Sequence, residues 1–223
     1  MKNYKILYED RDVFVIYKPP GLAVQSARPS VPDVMSRLSN ELWERTGRQP
    51  QLHLINRLDQ PVEGIFLVAA NERAAAELNR QVNDHIHMGK WYQALVCGQP
   101  SGKEGSLVDY LVKDGRTNMS RVVSEGTKDA KRSELRYRVL QEWEDSTLLE
   151  IRLLTGRHHQ IRVQLAHAGI PIVGDTKYGK SQESGHHQLC LCSCKTTFVH
   201  PRTKKEMMFE VESTFPVPST VPV

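Results

Sequence analysis

Apolar and polar positions alternate along most of this chain with the two-residue period of half-buried strands, broken in three places by the wider spacing of helices. KILYED and VFVIYK, residues 5–10 and 13–18, predict two short strands at the start. The PPG at Pro19, Pro20 and Gly21 ends the second, because proline has no backbone donor and glycine frees the turn. From Pro32 to Thr46, Met35, Leu38 and Leu42 follow helical spacing, Pro32 suits a first turn and Gly47 stands where a helix stops. GIFLVA, residues 64–69, is a continuous apolar run and predicts a buried strand; NERAAAELNRQVND, residues 71–84, predicts an amphipathic helix capped by Asn71.

Beyond that point the period of two returns in KWYQALVCG, SLVDYLV, RVVSE, SELRYRVLQEW and TLLEIRLL, separated by Gly, Asp and Ser turns. The gaps are too short for repeated crossover helices, so the pairing is expected to be mostly antiparallel. GRHHQIRVQLAHAG, residues 156–169, predicts a third helix, with Ile161, Leu165 and Ala168 on one face and Gly169 closing it. On such a helix the adjacent His158 and His159 would point apart. The pattern predicts an α+β protein: a large mixed, mostly antiparallel β-sheet with flanking helices, and no repeat or linker.

Composition narrows the function classes. A chain of 223 residues allows one large domain or two small ones. Its longest apolar runs are far too short to cross a bilayer, and the mixed charges of MKNYKILYEDRD lack the apolar centre of a secretory signal. A cytoplasmic address is expected, with no membrane association. The formal charge of +4 suits a polyanionic partner without demanding one.

Cys190, Cys192 and Cys194, just after His186 and His187, invite a zinc site, but the spacing argues against it. Alternate residues of a strand lie about 6.6 Å apart along one face, whereas two thiolates on one zinc need sulfurs roughly 3.8 Å apart. The row is read as a buried face of small thiols, and a cytosolic address disfavours disulfides.

The stretch HLINRLDQPVEG, residues 53–64, places Asn56, Arg57 and Asp59 side by side between apolar segments. A carboxylate two residues after an arginine is either a structural ion pair or the centre of a reaction. Neither spacing nor composition decides between them.

Five ordered blocks decide more than any one of them. VFVIYKPPGLAVQSA contains a KP-x-G element, NRLDQPVEG is similar to an H-R-L-D motif closing with glycine, and KWYQALVCG carries lysine-x-tyrosine. LLTGRHHQIRVQLAHAGIPIVGDTKYG carries T-G-R-x-H-Q-I-R followed by G-D-x-x-Y-G, and FVHPRTKKEMMFE is like a closing strand pair. In these blocks the chain resembles the RluA-type family of RNA pseudouridine synthases over nearly its whole length.

The resemblance implies a single catalytic domain over residues 1–223, without a separate N-terminal RNA-binding module. It implies an isomerase that detaches uracil from ribose, turns it and rejoins it through carbon in ribosomal or transfer RNA, with no cofactor and no obligate protein partner. Asp59 corresponds to the catalytic aspartate, acting as nucleophile or base. Arg162 matches the arginine that pairs with that aspartate, and Tyr92 the tyrosine that stacks on the target base. Arg57 matches the arginine that enters the RNA where the flipped nucleotide leaves. The alternative reading is an RNA-binding protein on the same fold without catalysis.

Three departures stand out: Asn56 where the family commonly has histidine, Val62-Glu63 where Thr-Ser is frequent, and Cys192 where many relatives have histidine. Glu63 reads as an extra acid near a polyanion. The basic clusters KDGRTNMSR, TKDAKR and HPRTKK are candidates for phosphate contacts, or are solvated loops.

Overall fold

The computed structural model describes residues 4–26, 31–84, 86–179 and 188–218. In chain order the elements are β1 (Lys5–Glu9), β2 (Val13–Lys18), α1 (Val34–Thr46), β3 (His53–Leu54), β4 (Glu63–Ala69), α2 (Glu72–Asp84) and β5 (Gly89–Cys97). They continue with β6 (Glu104–Asp114), β7 (Met119–Val123), β8 (Lys131–Glu142), β9 (Ser146–Leu153), α3 (Gln160–His167), β10 (Leu191–Val199) and β11 (Glu206–Glu210). Strands outnumber helices and their pairing is mostly antiparallel, as the two-residue period predicts. The chain divides into two compact units, Met1–Lys90 with Ser193–Ser213, and Trp91–Cys192 with Thr214–Val223.

In the first unit β2 lies antiparallel to β1 on one side and to β4 on the other, with Val13 opposite Ala69 and Lys18 opposite Gly64. Every residue of β4 is buried. One face of these strands packs on α2, where Val13, Val15, Leu67, Ala74, Leu78 and Phe198 share a core cluster. Asn71 caps α2 through its side-chain oxygen, which accepts from the Ala74 N–H at 2.9 Å.

Helix α1 starts later than its sequence suggests. The Asp33 carboxylate accepts from the Ser36 N–H at 2.7 Å and from the Ser26 N–H at 2.9 Å, so Asp33 is the cap and Pro32 precedes it. The buried stripe accordingly falls on Val34, Leu38 and Leu42, with Met35 half-buried. Gly47 ends the helix in the left-handed region, as expected.

The second unit is an antiparallel array in the order β5-β9-β8-β6-β7. Helix α3 differs most from expectation. It begins at Gln160, Ala168 lies beyond its end and is exposed, and every residue from Gln160 to Leu165 is buried. Such a helix has no polar stripe and is seated by side-chain amides instead. The Gln164 amide donates to Asp109 at 2.8 Å and to the Leu107 carbonyl at 3.2 Å, and the Gln160 amide donates to the Glu134 carbonyl at 3.1 Å.

His158 and His159 therefore do not diverge on a helix. They precede it, and their rings stack with centroids 3.8 Å apart because His159 takes the left-handed backbone at φ 53°. The thiols at 190, 192 and 194 lie on or beside β10, buried as expected, but Leu191 and Ser193 between them are equally buried, so both faces of this stretch are covered. The four cysteines form no disulfide. His186 and His187 lie outside the described residues.

Candidate active site

Asp59 sits half-buried on a tight turn in the first unit, closed by the Val62 N–H donating to the Asp59 carbonyl at 3.0 Å. The turn is held from below by Lys18, a residue with no exposed surface at the end of β2. Its ammonium donates to the carbonyls of Pro19 at 3.2 Å and Gln60 at 3.1 Å, and also to that of Val62. The KPPG turn is tied to the same loop by a reciprocal pair: the Gly21 N–H donates to the Gln60 carbonyl at 2.9 Å, and the Gln60 amide to the Gly21 carbonyl at 3.0 Å. Two sequence blocks some forty residues apart thus form one braced structure.

An ammonium has three donors and no acceptor, so three carbonyls satisfy it. Burial pulls its pKa down to about 8, and the negative charges of Asp59 and Glu63 act in the opposite direction. Lys18 was not singled out from sequence as a site residue. The available signal was a lone lysine closing an apolar strand, VFVIYK, directly before a turn.

The departures from the family pattern now have places. The Asn56 side-chain oxygen accepts the Leu67 N–H at 2.9 Å, so this residue ties the approach to the Asp59 turn onto β4. Glu63 is not a surface acid facing a polyanion: it is fully buried and accepts the Tyr17 hydroxyl at 3.1 Å. Gly64, the second residue of β4, takes φ 119°, and a Cβ there would stand 2.3 Å from the Ser193 carbonyl oxygen. Only glycine allows that backbone approach. Cys192 is wholly buried, and nothing in the structure explains why it replaces histidine. Arg57 is exposed, one residue before the buried Leu58.

Tyr92 and Arg162 belong to the second unit. Tyr92 is buried on β5 opposite Ile151 of β9. Arg162 lies in the first turn of α3 and forks onto Asp175, Nε to Oδ2 at 2.8 Å and Nη2 to Oδ1 at 2.7 Å. Its guanidinium carbon stands 5.3 Å from the centroid of the Tyr178 ring. Burial would raise the Asp175 carboxyl, but Arg162 and the N–H groups of Lys177 and Tyr178 outweigh it, leaving the pKa below the ordinary value.

The Tyr178 hydroxyl accepts the Ser120 N–H at 2.7 Å and meets His159 Nδ1 at 2.8 Å. The seat of Arg162 is thereby tied to β7 and to the left-handed His159. Asp175 and Tyr178, both in the G-D-x-x-Y-G block, are the residues that sequence reading left without a role.

One other cluster brings acids and histidine together. Among the described residues, Asp10, Asp12 and His200 are the group whose ligand atoms converge enough to suggest a metal. Its acceptors are already engaged: Asp10 by the Asp12 and Val13 N–H groups, the Tyr8 hydroxyl and His200, Asp12 by Arg202 and Asn71. It is a clamp in which a guanidinium supplies the positive charge. Of the basic clusters, HPRTKK is partly neutralised, Arg202 by Asp12 and Lys204 by Glu77. The clusters around 113–121 and 127–132 expose Lys113, Arg116, Arg121, Lys128, Lys131 and Arg132.

The α+β fold, with its mostly antiparallel sheet, is that of known proteins similar to this chain. Residues 12–167 match the family model described as RNA pseudouridylate synthase, and the chain belongs to that family. An uncharacterized RNA pseudouridine synthase, YlyB, of Bacillus subtilis (strain 168) is 32% identical over 209 residues, covering 92% of this chain and 67% of that protein. Ribosomal large subunit pseudouridine synthase C of Yersinia pestis is 34% identical over 214 residues, covering 92% of this chain and 64% of that protein. The chain thus spans about two thirds of the length of these curated relatives. Among solved structures, human RNA pseudouridylate synthase domain containing 4 shares the fold, with a TM-score of 0.76, 22% identity, and coverage of 93% of this chain and 88% of that one. Among the described residues no helix is long and apolar enough to cross a membrane.

Proposed function

We propose that this protein isomerises uridine to pseudouridine in RNA of the large ribosomal subunit, with Asp59 as its catalytic aspartate. The reaction breaks the bond between N1 of uracil and C1′ of ribose and forms one between C5 and C1′. N1 gains a proton and C5 loses one, so no oxidant, reductant or energy donor is consumed. A carboxylate held in fixed geometry suffices as nucleophile or base. The observation that carries the reading is the Asp59 turn itself: a buried ammonium bonded to three carbonyls is an expensive way to hold an ordinary surface loop.

Tyr92 is assigned to stack on the target base, a sequence-tolerant contact worth about 1–3 kcal/mol. Arg162 is assigned to hold charge at the reacting centre, and Arg57 to occupy the gap that the flipped nucleotide leaves. Both units together are read as one catalytic domain. The ribosomal assignment rests on relatives named as large-subunit synthases; transfer RNA is the second substrate class to test.

The deciding experiment uses large-subunit and transfer RNA transcripts carrying tritium at C5 of uracil, and follows label released to water by the wild type and by Asp59→Asn. Release by the wild type alone establishes the reaction and the need for Asp59. Retained RNA binding without release from either transcript pool would replace the isomerase with a binding protein on the same fold.

A further inference from the structure

The open face of the second unit's sheet carries a pair of arginines that the proposed chemistry does not use. Cross-strand register aligns Trp91 of β5, Arg152 of β9, Arg136 of β8 and Ser106 of β6 in one transverse row. Side chains alternate across a sheet, so the row lies opposite the face that carries Tyr92, Ile151 and Tyr137. Arg136 and Arg152 are directly opposed and exposed, and the Arg152 guanidinium stands 5.4 Å from the centroid of the Trp91 ring.

Like charges placed directly opposite destabilise a strand pair. A solvated sheet normally relieves this by alternating sign, and the neighbouring residues do so. Glu134 pairs with Arg132, Glu150 with Arg138, and Glu142 with Lys103. Those acids are engaged, and among the described residues neither Arg136 nor Arg152 has an ion-pair partner. The cost is borne at one place on the face, where an indole braces one of the two guanidiniums.

We propose that Arg136 and Arg152, braced by Trp91, form a phosphate-binding site that grips the sugar–phosphate backbone of the substrate RNA away from the reacting nucleotide. Adjacent strands separate the two side chains by about 5 Å, close enough for both to engage one phosphate or two consecutive ones. The site takes backbone rather than bases, because planar guanidiniums on an open sheet recognise phosphate geometry without a groove to read sequence. The inference rests on RNA being the substrate.

The test measures binding of an unmodified large-subunit RNA transcript to the full chain across a series of potassium chloride concentrations, for wild type and Arg136→Ala/Arg152→Ala. The logarithmic salt slope is expected to become shallower by about 1.5, while tritium release at saturating RNA stays unchanged. Arg136→Lys/Arg152→Lys should restore most of the slope, and the alanine variant should melt no lower than wild type, since it removes a repulsion. An unchanged slope overturns the site, and so does loss of release at saturating RNA, which would place the pair in the chemistry. A shallower slope in a protein that releases no tritium would leave this site standing and remove the isomerase reading instead.

Discussion

Lys18 donates to the carbonyl of Gln60, the residue immediately after Asp59, across 3.1 Å and forty-two positions of sequence. The proposed catalytic carboxylate is therefore positioned by a cation that bonds the peptide beside it, at the end of a strand buried on both faces. Positioning of this kind lives in backbone geometry.

Replacing that cation should cost rate more than affinity. Lys18→Met removes the donor to the Pro19 and Val62 carbonyls and leaves that of Gln60 with the Gly21 N–H alone, at about 1–3 kcal/mol for each carbonyl left unpaired in the interior, and frees the turn to move. A shift of about 1 Å at a reacting group can cost on the order of 100-fold in rate. Single-turnover tritium release should fall by about that factor while RNA binding changes little. An equal fall in affinity and rate would instead assign Lys18 to RNA contact.

The same residue sets an alkaline limit. Below about 8 the Lys18 amine is charged and offers three N–H donors to three carbonyls; above it one is lost. The release rate should decline as pH rises through that value. Glu63→Gln removes a negative charge that favours the ammonium, so the decline should move to lower pH.

Stability should follow the opposite trend. Unfolded chain keeps its lysine protonated to about 10.4, so between the two values the unfolded state binds more protons. The contribution of this group to stability therefore rises with pH in that window. Rate and melting temperature recorded together over the same pH series would show the two curves diverge; parallel curves would contradict this account of Lys18.

Asp175 and Arg162 form a pair with side chains 1% and 4% exposed. Breaking such a pair from one side costs about 3–5 kcal/mol, because the remaining charge stays buried. Asp175→Asn should lower the unfolding midpoint in urea accordingly. Since the Asp175 pKa lies below its ordinary value of 3.8, its stabilisation is complete above that value and lost as pH falls through the lower one. Acid titration of the variant should lack that part of the wild-type loss.

At Gly64 the obstruction is backbone. Gly64→Ala would set a methyl 2.3 Å from the Ser193 carbonyl oxygen in a conformation that L residues rarely adopt. Overpacking of this sort costs about 1–3 kcal/mol or more. Differential scanning calorimetry should show a lower melting temperature, and Ser193→Gly should not rescue it, because the clashing atom belongs to the peptide.

Much of the fold was legible because its strands alternate strongly and end on residues that cannot continue them. VFVIYK matches β2 residue for residue, and Asn71 caps α2 as its side chain predicts. Helix α3 was blurred at both ends for a physical reason. A helix buried around nearly its whole circumference shows no periodicity, and its start is set by the backbone of His159, which no hydrophobic pattern encodes.

The site divides along similar lines. Asp59, Arg57, Tyr92 and Arg162 stand in recognisable blocks, but the partners that hold them do not announce themselves. Lys18 meets Gln60 through carbonyls, and every residue has a carbonyl. Glu63 looked like a surface acid because burial depends on the neighbouring strand, and sequence places charge without placing depth.

The clamp between Asp10 and His200 bears on how the molecule is made. Those residues are separated by 190 positions, and β10 and β11 complete a unit whose other strands lie within the first ninety residues. During synthesis that unit must wait, its apolar faces uncovered, until the final quarter of the chain has emerged. The hairpins of β6 to β9 close over short spans and can pair as they leave the ribosome. The half carrying the proposed catalytic aspartate thus depends on strands made near the end of synthesis, and its assembly waits on translation in a way that the pairing of β6 to β9 does not.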